Sequence, residues 1–206
     1  MPLEAVVFDI GRVLIEWEPE RFYDSRIGAA RRKQLFAQVP LHKVNLEIDR
    51  GAPFRASVYR LAEQHPAWQR EIRWWHDCWL EMVPRAIPHS VRLMQALQAR
   101  GMPVFALSNF GAETFELACA AYPALRGFDH TFVSAHLKTI KPDPEIYAIL
   151  ERKTGVAPER LLFTDDRPEN IKAARLRGWQ THLFTAPGPF AARLVQEGLL
   201  TQQEAA

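Results

Sequence analysis

Short, almost unbroken apolar runs recur along the chain, each followed by a stretch in which apolar residues return every three or four positions. The runs are Ala5 to Phe8, Val104 to Leu107, Thr131 to Ser134, Leu161 to Thr164 and Thr181 to Phe184. This alternation predicts strands joined by crossover helices, and therefore an α/β fold with a doubly wound parallel sheet. Runs without polar alternation predict strands covered on both faces, and His182 inside the fifth run predicts a sheet edge there. Gly101 after SVRLMQALQAR, Gly155 after PEIYAILERKT and Gly178 after PENIKAARLR stand where helices end. Pro144 and Pro168 suit first helical turns. The tail beyond Gly198 reads as a frayed helix.

One segment breaks the alternation. Arg21 to Pro84 reads as helical throughout and is too long for a single crossover between the first two strands. Within it Trp68, Ile72, Trp75 and Trp79 share one helical face. Such a face predicts packing inside a small helical module; the alternative is that some of the rings close over a ligand, as an inserted lid does.

Composition narrows the picture. A chain of 206 residues, 48% of them hydrophobic, supports one core domain with a smaller insertion. The 26 Lys and Arg nearly balance the 24 Asp and Glu, so no net field draws the chain to nucleic acid or to an anionic membrane. Arg31, Arg32 and Lys33 read as a solvated helix face. Two distant cysteines, Cys78 and Cys119, form neither a disulfide framework nor a metal pattern and fit a reducing compartment. The opening MPLEAVVFDIG has no basic region, and its apolar run is too short for a signal peptide or a membrane span, which predicts a cytoplasmic protein.

Polar chemistry collects just after the strands, where a doubly wound sheet binds its ligands. The first strand ends at Asp9, the second at Ser108 and Asn109, the third leads to Lys141, and the fourth ends at Asp165 and Asp166. Each residue alone has an ordinary reading as a turn, cap or surface charge. Together they would place three carboxylates on one edge. Such a cluster resists standing unpaired and holds a cation; an oxygen-only set favours Mg²⁺.

The motifs FDIG, LSN, IKPDPEIY and FTDDRPEN, in that order, resemble the four motifs of the haloacid dehalogenase-like (HAD) hydrolase superfamily from about Ala5 to about Thr185. The resemblance implies a Rossmann-like core over residues 1–18 and 86–206 and a helical cap over 19–85. It implies Asp9 as nucleophile forming a covalent aspartyl intermediate, Ser108 bonding the transferring group, with Asn109 beside it, and Lys141 neutralising charge. Mg²⁺ would be held by Asp9, Asp165, Asp166 and the backbone carbonyl of Gly11. The partner would be a small phosphorylated or halogenated molecule, because a closed cap leaves little room for a macromolecule; oligomeric state is not legible.

One expected residue is missing. Phosphatases of this superfamily usually carry a second Asp two places after the nucleophile, as acid and then base; here that position is Gly11, followed by Arg12 where glycine is common. Three readings follow. A Mg²⁺-dependent phosphatase of a small metabolite, such as a sugar phosphate, ranks first: general acid-base catalysis contributes about 10²- to 10⁴-fold, a modest part of phosphoryl transfer. The superfamily's Asp-x-Gly sugar-phosphate branch is similar. A 2-haloacid dehalogenase ranks second, since halide leaves without a proton, but those enzymes work without a metal and lack the acidic pair kept here. A phosphometabolite-binding regulator with little turnover ranks third. Glu16 or Glu18 is a candidate substitute donor, and Arg12 either meets a substrate anion or pairs with one of these acids.

Overall fold

The computed structural model describes residues 2–206. Five strands, β1 (Ala5–Phe8), β2 (Val104–Ser108), β3 (His130–Val133), β4 (Leu161–Asp165) and β5 (Gln180–Leu183), form one sheet. Their order is β3-β2-β1-β4-β5, with every pairing parallel. The expected α/β class is what forms. The chain runs outward from β1 in one direction through β2 and β3, then returns to β4 and β5 on the other side. The direction of winding therefore switches between β1 and β4, and that crevice is where such sheets bind ligands.

Both faces of the sheet are covered, as the unbroken apolar runs require. In β1, Val6 and Phe8 enter one hydrophobic cluster while Ala5 and Val7 enter the other. The second cluster lies under α8 (Pro144–Thr154) and α9 (Pro168–Leu176), where Tyr147, Phe163 and Trp179 stack edge to face. Gly155, Gly101 and Gly178 all take positive φ beyond their helices, as their placement predicts. β5 is indeed an edge, half-exposed along its length.

Two expectations need correction. Ser134 does not close β3; its hydroxyl receives the N–H of Phe110 and donates to the Asp49 carbonyl, so the residue opens the short helix α7 (Ser134–Leu137) instead. The tail is not frayed either. Leu200 and Ala205 are buried, and Glu204 and the Ala205 carbonyl bind Arg100 and His89 at either end of α5 (Pro88–Ala99).

Between β1 and β2 lie four further helices: α1 (Pro19–Gln38), α2 (Leu41–Asp49), α3 (Phe54–Gln64) and α4 (Gln69–Asp77). They are less continuous than the periodicity suggests. Gly28 breaks α1 with φ +76, and Trp68 and Trp79 sit in 3-10 turns on either side of α4. Even so, Trp68, Ile72, Trp75 and Trp79 are all buried. Their cluster continues into that of Phe8 and Val104, so these helices share a core with one face of the sheet. Among the described residues no helix is long and apolar enough to cross a membrane.

Candidate active site

The carboxyl ends of β1, β2 and β4 meet at the floor of a cavity of about 490 Å³. Asp9 stands one residue beyond β1 and is 7% exposed. Its Oδ1 accepts the Ser108 hydroxyl at 2.7 Å and its neighbour's N–H, from Ile10, at 2.7 Å. Lys141 Nζ lies 3.0 Å from the same oxygen and 2.6 Å from Asp165 Oδ2. Donors thus converge on Oδ1 and leave Oδ2 as the freer oxygen. Burial pushes Asp9 up to about 7; Lys141 pulls the other way and Asp165 adds to the rise. Burial also works against the Lys141 ammonium, but Asp165 and Asp9 outweigh it and hold the group above the ordinary lysine range.

Asp165 is fully buried and well supplied with donors. Arg167 N–H reaches Oδ1 at 2.8 Å, and the Asn170 amide lies 3.0 Å from each oxygen. Asp166 is more open; burial and the like charge of Asp165 raise it, against Arg12 and Lys141. Asp9, Asp165 and Asp166 each offer an oxygen within 4.8 Å of the others, a donor set that fits a hard divalent cation. All six positions expected to carry chemistry from the strand ends therefore come together.

Asn109 has a more specific placement than its position suggests. Its Nδ2 donates to the Lys141 carbonyl at 2.9 Å and its Oδ1 accepts the Lys141 N–H at 2.7 Å. The side chain lines the cavity while clamping the backbone that carries the ammonium. Arg12 adopts φ +58, a region rarely used by residues other than glycine. Its guanidinium lies 3.9 Å from Asp166 and donates to the Trp17 carbonyl at 3.3 Å, so its acidic partner is Asp166 and neither Glu16 nor Glu18.

At Gly11 the absence is one of chemistry alone. A Cβ built there would meet nothing within 4 Å, and the position faces the cavity. The two candidate substitutes separate. Glu18 is bound to Arg21 at 2.7 Å outside the main cavity, whereas Glu16 lines it, pairs with Arg85 at 2.7 Å through Oε1 and keeps a buried, unpartnered Oε2.

The roof brings in Trp75 and Trp79, two of the rings on the helical face read from the sequence, together with Trp17, His42 and Asp49, which that reading did not single out. Trp17 meets Trp75 edge to face at 5.7 Å, and both line the cavity with Trp79 and His42. Asp49, the last residue of α2, lines it as well and is 8% exposed. An acid at the negative end of a helix is electrostatically disfavoured, but solvated acids share that pattern, so the sequence carries no signal that singles Asp49 out.

A family model for haloacid dehalogenase-like hydrolases matches residues 3–178, and the chain belongs to that family. It is 29% identical over 107 residues to an (S)-2-haloacid dehalogenase of Pseudomonas sp. strain YL, covering 51% of this chain and 44% of that protein. It is 26% identical over 91 residues to the phosphoglycolate phosphatase of Escherichia coli K12, covering 44% of this chain and 36% of that protein. The matches thus span less than half of either relative.

Among solved structures, a HAD family enzyme of Bacteroides thetaiotaomicron, an aspartate-to-alanine variant with magnesium and inorganic phosphate, superposes with a TM-score of 0.70 at 21% identity, over 89% of this chain and 95% of that one. An L-2-haloacid dehalogenase of Xanthobacter autotrophicus with chloropropionic acid covalently bound gives 0.63 at 18%, over 98% and 86%. At these identities the likeness establishes the fold.

Proposed function

We propose that this hydrolase is a Mg²⁺-dependent phosphatase of a small phosphorylated metabolite, working through an aspartyl-phosphate on Asp9. The observation that carries the reading is the acidic group Asp9, Asp165 and Asp166, with oxygens within 4.8 Å of one another beside a fully buried lysine. Three carboxylates against one ammonium leave negative charge that a divalent cation offsets. Mg²⁺ would be held by Asp9, Asp165, Asp166 and the Gly11 carbonyl, and when bound it supplies charge neutralisation at the transferring phosphoryl group.

The chain's own residues do the rest. Asp9, in the ionised form that Lys141 favours, attacks phosphorus. Ser108 and Lys141 donate to the phosphoryl oxygens as charge builds on them. Asn109 holds the Lys141 backbone, so that Nζ keeps its place between Asp9 and Asp165. Arg12 offers a cation at the cavity mouth for a substrate anion. Residues 19–85 act as the cap, with Trp75 and Trp79 excluding water above the site. A cavity of about 490 Å³ suits a small metabolite.

Dehalogenation is the second reading, supported by the haloacid dehalogenase relative and by the missing acid at Gly11. A panel of phosphate esters and 2-haloacids, with and without Mg²⁺, separates the two. Metal-dependent phosphate release is the expected result, and metal-independent halide release would overturn it. Tight phosphate-ester binding without turnover would point to a regulator. Asp9→Asn must abolish whichever reaction occurs.

A further inference from the structure

If Gly11 provides no proton, something else in the cavity must, or the enzyme is confined to leaving groups that need none. Glu16 has a free oxygen, but its other oxygen is locked to Arg85 at the edge of the cavity. Asp49 is placed differently. At the end of α2, it lines the same cavity as Asp9 and Ser108, and the charge of Asp9 acts on its carboxyl.

Its position is also built. The Asn45 amide donates to Asp49 Oδ2 at 3.0 Å, and Asn45 is in turn held by the Trp75 indole N–H at 3.1 Å. The Gly111 peptide N–H, near the same carboxyl group, favours its ionised form. The backbone is pinned from below, where Ser134 Oγ donates to the Asp49 carbonyl at 2.6 Å. Two residues on, Gly51 takes φ +100, and a Cβ there would collide with Lys138 Nζ and lie 2.7 Å from the Ala135 carbonyl. Gly111 likewise has no room for a Cβ, which would lie 2.6 Å from Ile48 Cγ2. This segment of the cap is seated directly on the core loops after β2 and β3, so Asp49 is held in place in the cavity wall.

We propose that Asp49 is the general acid and base of the reaction, standing in from the cap for the carboxylate that Gly11 lacks. The proposal rests on the phosphatase reading above. In the first step Asp9 forms its bond to phosphorus, the bond from phosphorus to the leaving oxygen breaks, and that oxygen takes the proton of the Asp49 carboxyl to leave as an alcohol. In the second step water attacks the aspartyl-phosphate and gives its proton to the Asp49 carboxylate. The bond between phosphorus and Asp9 breaks, phosphate departs, and both carboxyls return to their starting states. Burial raises Asp49 to about 7, and the negative charge of Asp9 adds to the rise against the Gly111 and Asn45 hydrogen bonds and Arg50. That is the range in which one group can give and then take a proton near neutral pH.

The test compares a poor and a good leaving group in Mg²⁺-loaded protein: glycerol 3-phosphate and p-nitrophenyl phosphate. In Asp49→Asn, turnover of the alkyl ester falls by about 10²- to 10⁴-fold. With the aryl ester, formation of the aspartyl-phosphate is nearly preserved while its hydrolysis slows, so the variant shows a burst of nitrophenol and an adduct on Asp9 visible by mass spectrometry of quenched protein. Asp49→Glu, which restores a carboxyl, recovers part of the alkyl-ester activity. Equal losses for both esters without adduct would mean a purely structural role and overturn the proposal, as would full activity in Asp49→Asn. If wild type cleaves neither ester, the phosphatase reading itself fails and the proposal falls with it.

Discussion

Asn109 joins the second strand to the third motif through two reciprocal hydrogen bonds with the Lys141 peptide. Asn109→Ala would leave a buried N–H and C=O without partners, at a cost of about 1–3 kcal/mol each at most, read by chemical denaturation. Because the side chain positions Lys141, kcat should fall while KM changes little; a rise in KM alone would assign it to substrate contact. Gly11 gives the opposite kind of prediction. Open space around its Cβ position means that Gly11→Asp folds normally. Introduced into Asp49→Asn, it returns a proton donor to the floor of the cavity and should raise alkyl-phosphate turnover by about tenfold or more, within the range of acid catalysis. No gain in a folded double variant would show that position 11 no longer faces the leaving group.

At the scale of elements, the seam between α2 and the core is the most sensitive feature. Gly51→Ala forces a side chain into positive φ and against the Ala135 carbonyl, which should cost more than about 1 kcal/mol. For a chain of this size that lowers Tm by about 2–4 °C per kcal/mol. The same substitution at Gly11 should be nearly silent, since nothing crowds it. The strands and helix stops were legible because burial on both faces makes continuous apolar runs and because Gly155, Gly101 and Gly178 cap with positive φ. The candidate site was legible where its residues follow strands. Asp49 was not, because an acid in an amphipathic helix carries the same pattern as a solvated one; only the tertiary seating of α2 buries it. The breaks at Gly28 and around α4 were hidden for a related reason, since burial of Trp68 and Trp79 preserves the helical spacing without a continuous helix.

Across the whole molecule the buried acids couple stability to pH. Burial pushes Asp9 and Asp49 to about 7, and burial moves Asp166 in the same direction. Between the ordinary aspartate value and about 7 the folded state therefore binds more protons than the unfolded chain. The stability these groups contribute is complete at the acid end of that window and is lost as pH rises through it. Without metal, Asp49→Asn should flatten this decline in a series of thermal melts. On the proposed reading Mg²⁺ would compete with protons for Asp9 and Asp166, so it should raise Tm strongly above neutral pH, by the equivalent of about 2.7 kcal/mol at a hundredfold excess over Kd. The increment should shrink in acid. The most direct test of the central claim is the chemical identity of the intermediate: protein mixed with a phosphate ester and Mg²⁺, quenched in acid and digested, with the peptide containing Asp9 weighed. A phosphoryl adduct on Asp9 that requires Mg²⁺ and vanishes in Asp9→Asn is the expected result. A peptide that stays unmodified with phosphate esters, but gains a carbon ester from a 2-haloacid without metal, would contradict it.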